Sequence, residues 1–290
     1  MRILVFGKTG QVASELQKIA AGHAAEFIFA GRERADLAET GVCARLISQV
    51  SPDAVINAAA YTAVDKAETD EDLAQKINGQ APGEMARACA ALNIPIVHIS
   101  TDYVFDGAGS RPFDPSDPLD PLGAYGRGKA LGERSVQTAG AVFGILRTSW
   151  VFSAHGTNFV KTMRRLGVAR DSLTIVADQV GGPTSAASIA RACVRMVAVL
   201  RTNPEACGIY HFSGAPDVSW ADFAREIFVQ AGLNCDVTDI PTSAYPTPAR
   251  RPQNSRMNCA TTQNVFGLER PDWRTDLQKV ISDLGTIASS

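Results

Sequence analysis

The sequence predicts an α/β fold, a doubly wound parallel sheet with a smaller α/β substrate-binding domain. Three observations predict it. Short apolar runs of strand length alternate with helical periodicity through the first half of the chain. The first run breaks at a glycine turn that leads straight into a helix pattern. Beyond residue 152 the alternation loosens into short strands, prolines and arginines. The expected division is therefore a sheet domain over residues 1–152, with helix 183–200 packing back on it. Residues 153–182 and 201–290 then make the lid.

Ile3–Phe6 is an apolar run suited to a buried parallel strand. It breaks at Gly7-Lys-Thr-Gly10-Gln-Val-Ala13 and continues as a helix through Leu16 and Ile19. Strand, glycine turn and helix in that order are the context of a Rossmann-like dinucleotide site. Gly7 permits the turn, and Gly10 lets the backbone approach a pyrophosphate. Ala13 keeps helix and strand close, while the helix N-terminus supplies amide donors to the phosphates. A purely structural turn is the alternative. No Gly-Lys-Ser/Thr follows, so this is not a Walker loop.

The second strand, Glu26–Ala30, ends in Gly31-Arg32 instead of an acid. Arginine there suits the 2′-phosphate of NADPH, although NADH stays possible and Arg32 can equally be a solvated loop charge. Asp36 and Leu37 can edge an adenine pocket. A helix through Ala44–Ser48 precedes the strand Asp53–Asn57, whose end, Asn57-Ala-Ala-Ala60, is small enough for a cofactor or for close helix packing. The helix from Asp72 toward Leu92 carries Asn78, which either orders the site or is ordinary helix-surface polarity. Ile94–Ile99 is the fourth strand, with His98 read as a core histidine. The loop from Asp106 to Leu122 is long enough to cover a substrate. Helix Tyr125–Gln137 and strand Val142–Leu146 complete the alternation. Further on, Asn158–Leu166 and Ser219–Gly232 read as helices, and Leu173–Val176 and Gly208–Phe212 as strands. Gly181–Thr184 opens the long helix to Leu200.

Tyr125 and Lys129 stand four apart, on one face of their helix. A free phenol ionises near pH 10, about three units too high for proton transfer at neutral pH. An ammonium nearby lowers that value, and a hydroxyl such as Thr101 can hold a carbonyl oxygen. This is carbonyl-reduction chemistry if a nicotinamide is present. Five tyrosines and seven lysines in 290 residues give about 0.12 such spacings by chance, so an amphipathic helix with a solvated lysine is the alternative.

Net charge of -2 offers no basic field for nucleic acid or an anionic membrane. Six cysteines without C-x-x-C spacing point to a reducing, cytoplasmic setting, not a disulfide frame or zinc site. The opening is too short for a signal peptide, and no apolar stretch is long enough for a membrane helix.

Together, Gly7-x-x-Gly10-x-x-Ala13, Asn57-Ala-Ala, Ser100-Thr101 and Tyr125-x-x-x-Lys129 resemble the extended short-chain dehydrogenase/reductases. Phe6–Val12, Thr62–Glu68, Ser100–Phe105, Arg147–Val151 and Pro246–Pro252 are similar to the dTDP-4-dehydrorhamnose reductases among them, from residue 1 to about Asp276. The resemblance implies NAD(P)H-dependent reduction at C4 of a dTDP-keto-sugar, with Tyr125 as proton donor. Lys129 would tune it and hold the nicotinamide ribose. Thr101 and Asp102 would contact the sugar and Trp150 would wall it. Gly10-Gln11-Val12, Asp36-Leu37 and Ala60-Tyr61-Thr62 would line the cofactor. Among Arg250, Arg251 and Arg256, Arg251 is taken for the diphosphate, surface pairing with acids being the alternative. An epimerase or dehydratase on the same fold, or a non-catalytic NADP-binding regulatory subunit, are the competing readings. Glu15 matches an acid of magnesium-bridged relatives, but Ser185-Ala-Ala-Ser188 lacks the second acid, so no metal is expected and the chain is a monomer or a homodimer.

Overall fold

The structure is a computed structural model and describes residues 1–285. Its central sheet starts with β1 (Arg2–Phe6), crosses through helix α1 (Gln11–Ala20) to β2 (Glu26–Ala30), and returns through α2 (Val42–Val50) to β3 (Ala54–Asn57). After α3 (Val64–Ala67), one long helical stretch runs as α4 (Glu71–Gln75), a π segment over Lys76–Gln80, and α5 (Ala81–Leu92). Then come β4 (Ile96–Thr101), α6 (Ala124–Gln137) and β5 (Phe143–Thr148). The second half gives β6 (Val151–Phe152), α7 (Phe159–Ala169), β7 (Ser172–Val176), β8 (Val180–Gly181), β9 (Thr184–Ser185), α8 (Ala186–Thr202) and β10 (Gly208–His211). It closes with β11 (Val218–Ser219), α9 (Trp220–Ala231), β12 (Asp236–Ile240), β13 (Asn254–Ser255), α10 (Ala260–Phe266) and α11 (Trp273–Asp283).

Six parallel strands stand in the order β2-β1-β3-β4-β5-β10. Alternation along β1 sends Ile3 and Val5 into a core with α1 and α8, and Leu4 and Phe6 into another with α2 and α5. Both faces are covered, which is why these strands read as continuous apolar runs. The order reverses between β1 and β3, so a crevice opens beyond their C-terminal ends.

One expected boundary needs correction. Residues 201–290 are expected in the lid, yet β10 pairs with β5 in the central sheet, Gly208 against Gly144 through His211 against Arg147. The long α8 is the crossover that returns the chain there, and Phe266 of α10 packs into the same core. The remaining second-half elements gather around a separate core of Phe152, Met163, Phe223, Phe228 and Trp273.

The π segment packs closely against α6. Helix α6 lies so close to it that a Cβ at Gly132 would sit well under 3.0 Å from the Asn78 carbonyl oxygen. Gly128 makes the corresponding approach to Ala74, where a Cβ would meet the carbonyl oxygen at 3.3 Å. Glycines on both helices thus bring the face bearing Tyr125 and Lys129 against the rest of the sheet domain.

Candidate active site

A cleft of about 850 Å³ lies at the C-terminal ends of β1, β3, β4 and β5. Its first wall is the glycine turn. Gly7 has φ +114°, and a Cβ there would press on the Ala58 backbone at 3.3 Å. Gly10 is the N-cap of α1 and offers no side-chain oxygen, so no side chain caps the helix amides at Gln11 and Val12. An uncapped helix N-terminus facing a cleft is a seat for a phosphate. Ala60, Tyr61 and Thr62 form the next stretch of wall. Asn78, buried in the π segment, grips Tyr61 by its backbone, accepting from the amide at 2.8 Å and donating to the carbonyl at 2.9 Å. Asp36 and Leu37 close the far end, with Arg32 at its lip, largely exposed and 3.7 Å from Asp36.

The other wall carries the chemistry. Thr101, Asp102, Tyr125, Lys129 and Trp150 all line it. Thr101 donates to Asp102 Oδ1 at 3.0 Å and accepts the Tyr103 amide at 3.2 Å. Burial pushes the Asp102 carboxyl up to about 6, against the pull of hydroxyl donors from Ser255 and Thr101. Burial also pushes the Tyr125 phenol above its ordinary value, and the charge of Asp102 adds to this. Lys129 is buried, donates to the Ile99 carbonyl at 2.6 Å, and is brought down to about 8 by desolvation. Burial and the charge of Asp102 act on Tyr125, while the Lys129 ammonium turns to the backbone of β4.

A family profile described as the RmlD substrate binding domain matches residues 1–286. The chain belongs to this family. A dTDP-4-dehydrorhamnose reductase of Sinorhizobium fredii is 42% identical over 287 residues, 97% of each chain. The crystal structure of a dTDP-4-dehydrorhamnose reductase from Clostridium acetobutylicum superposes with TM-score 0.91 at 37% identity, covering 98% of this chain and 99% of that one. A second, from Bacillus anthracis and in complex with NADP, gives 0.89 at 32% identity, covering 97% and 99%.

Several side chains that support the site of this RmlD-family chain carry no local sequence signal. Glu133, one turn beyond Lys129, is fully buried and bound by Arg147 at 2.7 and 2.9 Å and by Ser100 at 2.5 Å. That cluster ties α6 to β4 and β5. Trp220 stacks on Trp150 with centroids 3.6 Å apart and planes at 10°. Trp150 itself sits at φ +50°, a strained conformation for a bulky residue, held by Thr184 N–H on its carbonyl.

Arg251 does not line the cleft. Its guanidinium takes both oxygens of Asp65 at 2.8 Å and bonds the Tyr103 hydroxyl. Arg256 bonds Asn254, and Arg250 is exposed. His98 is buried and its Nδ1 is bonded to Asn57 at 3.0 Å, but its buried Nε2 has no hydrogen-bond partner among the described residues, so it is a core histidine only half satisfied. Glu15 bonds His155 at 3.0 Å and Lys18 at 3.1 Å. Ser185 and Ser188 hold the buried Asp276. No helix among the described residues is long and apolar enough to cross a membrane.

Proposed function

We propose that this chain reduces the C4 keto group of dTDP-4-dehydro-L-rhamnose with NADPH, yielding dTDP-L-rhamnose in the last step of that sugar nucleotide's synthesis. The observation that carries the reading is one cleft holding both an uncapped glycine-turn helix and the Thr101–Tyr125–Lys129 set. Full-length relatives named for that reaction support it. Gly7, Gly10, Gln11 and Val12 would seat the pyrophosphate. Asp36 and Leu37 border the adenine, Arg32 meets the 2′-phosphate, and Ala60, Tyr61 and Thr62 flank the nicotinamide half. NADH is the weaker cofactor.

A bound reduced nicotinamide supplies the hydride. Burial keeps Tyr125 protonated at working pH, so its phenol gives a proton to the carbonyl oxygen as negative charge develops there. Thr101, its hydrogen given to Asp102, holds the Tyr125 hydroxyl in place by hydrogen-bonding it, and Lys129 holds the ribose. Asp102 accepts sugar hydroxyls, and the Trp150 indole excludes water beside the reacting carbon.

Residues 1–152 with α8 and β10 act as the cofactor domain, and the remaining second-half elements as the lid. Six unpaired thiols suit work in the cytoplasm, as a monomer or homodimer. The test is NADPH oxidation with dTDP-4-dehydro-L-rhamnose, repeated with NADH. Turnover with NADPH supports the reading, and none with either nicotinamide defeats it.

A further inference from the structure

We infer that Ser255 is a positioning residue for the reduction: from the lid it holds the Asp102 carboxylate and thereby fixes the Thr101 hydroxyl beside Tyr125. The inference rests on the reductase reading above. Ser255 lies on β13, 153 positions from Asp102 in sequence, and its hydroxyl donates to Asp102 Oδ2 at 2.5 Å. The other carboxylate oxygen takes the Thr101 hydroxyl, whose oxygen in turn accepts the Tyr103 amide. Ser255, Asp102 and Thr101 are all more than nine-tenths buried. With its hydrogen given to Asp102, the Thr101 hydroxyl presents its oxygen to the Tyr103 amide and to the Tyr125 phenol, and Ser255 holds the far end of the chain that sets it.

Strand β13 also carries the sugar wall. It runs parallel to β8, Asn254 against Val180 and Ser255 against Gly181. A Cβ at Gly181 would meet the Ser255 Cβ at 2.9 Å and the Trp150 indole at 3.1 Å. Trp150, Gly181 and Ser255 are therefore packed in a row, so the wall and the carboxylate move together. A shift of the lid reaches the reacting hydroxyls through this contact.

The groups facing Asp102 are Tyr103 of its own segment and Tyr125 of α6. Lys129 of α6 turns to the Ile99 carbonyl, and Arg251 of the lid is engaged by Tyr103 and Asp65. Hydroxyl and amide donors, not a cation, stabilise the carboxylate. Removing Ser255's donor disfavours the ionised form, which is the form that accepts a sugar hydroxyl.

The experiment measures kcat and KM of the full chain with NADPH and the keto-sugar from about pH 5 to 9, for the unaltered protein, Ser255→Ala, Ser255→Cys and Ser255→Thr. In Ser255→Ala the acid limb of kcat/KM moves up by about one pH unit, the tenfold equivalent of one charge-assisted hydrogen bond. Its NADPH affinity stays unchanged. Ser255→Thr restores the limb, and Ser255→Cys, a weaker donor in the same place, shifts it part-way should the alanine variant not fold. A uniform loss of rate with the limb unmoved in the alanine and cysteine variants overturns the inference. Absence of turnover in the unaltered chain defeats the reductase reading, and the inference with it.

Discussion

Gly132→Ala tests how closely the catalytic helix must approach its neighbour. The added methyl would fall well under 3.0 Å from the Asn78 carbonyl oxygen, and that oxygen belongs to backbone, which cannot rotate aside. Restoring ordinary contact requires α6 to withdraw by roughly 1 Å. Overpacking of this kind costs about 1–3 kcal/mol of stability. Tyr125 and Lys129 ride on the same helix two and one turns earlier, and about 1 Å of misplacement can cost roughly 10²-fold in rate. Urea unfolding and NADPH-coupled turnover are measured on Gly132→Ala and on Gly22→Ala, where a Cβ meets nothing within 4 Å. The control should behave like the unaltered chain, while Gly132→Ala loses both stability and kcat. If Gly132→Ala matched the control in both, the claim that this close approach sets the site's placement would be refuted.

Four further outcomes are expected. Arg32→Ala should weaken NADPH far more than NADH, measured by titration of each cofactor, and equal weakening removes the 2′-phosphate role. Trp220→Ala should abolish the coupled indole signal in near-ultraviolet circular dichroism and raise the KM for the keto-sugar, since Trp150 loses its stacked partner at 3.6 Å. Glu133→Gln strands the buried Arg147 charge and should cost about 3–5 kcal/mol in urea unfolding; a loss below about 1 kcal/mol contradicts that. Lys129 has a folded value near 8, below its unfolded value of 10.5, so its buried ammonium is a penalty of about 3 kcal/mol below pH 8 that fades as pH rises toward 10.5. The stability difference between Lys129→Met and the unaltered chain should therefore shrink over that window, and a pH-independent difference excludes the assignment.

Much of the fold was legible because both faces of a parallel sheet are buried, which writes its strands as plain apolar runs such as Ile3–Phe6. The glycine turn and the Tyr125/Lys129 spacing were legible for a different reason, being local in sequence. What stayed hidden depends on contacts far along the chain. Nothing near Ser255 announces that it holds Asp102, nor near Trp220 that it backs Trp150, because each partner arrives through the lid's topology. The π segment was invisible in a run that reads as uninterrupted helix, and the glycine it packs against lies far along the chain on α6. The pairing of Arg251 was hidden for a related reason. A guanidinium in an arginine-rich loop looks free until Asp65 is brought within 2.8 Å.

The most direct measurement is a single-turnover comparison of the unaltered chain with Tyr125→Phe, following NADPH absorbance on mixing with dTDP-4-dehydro-L-rhamnose, alongside NADPH binding. The phenol is the only proton the account gives to the carbonyl oxygen, so the variant should bind NADPH normally and oxidise it roughly 10²–10⁴-fold more slowly. Oxidation at the unaltered rate by a chain lacking that hydroxyl would contradict the account.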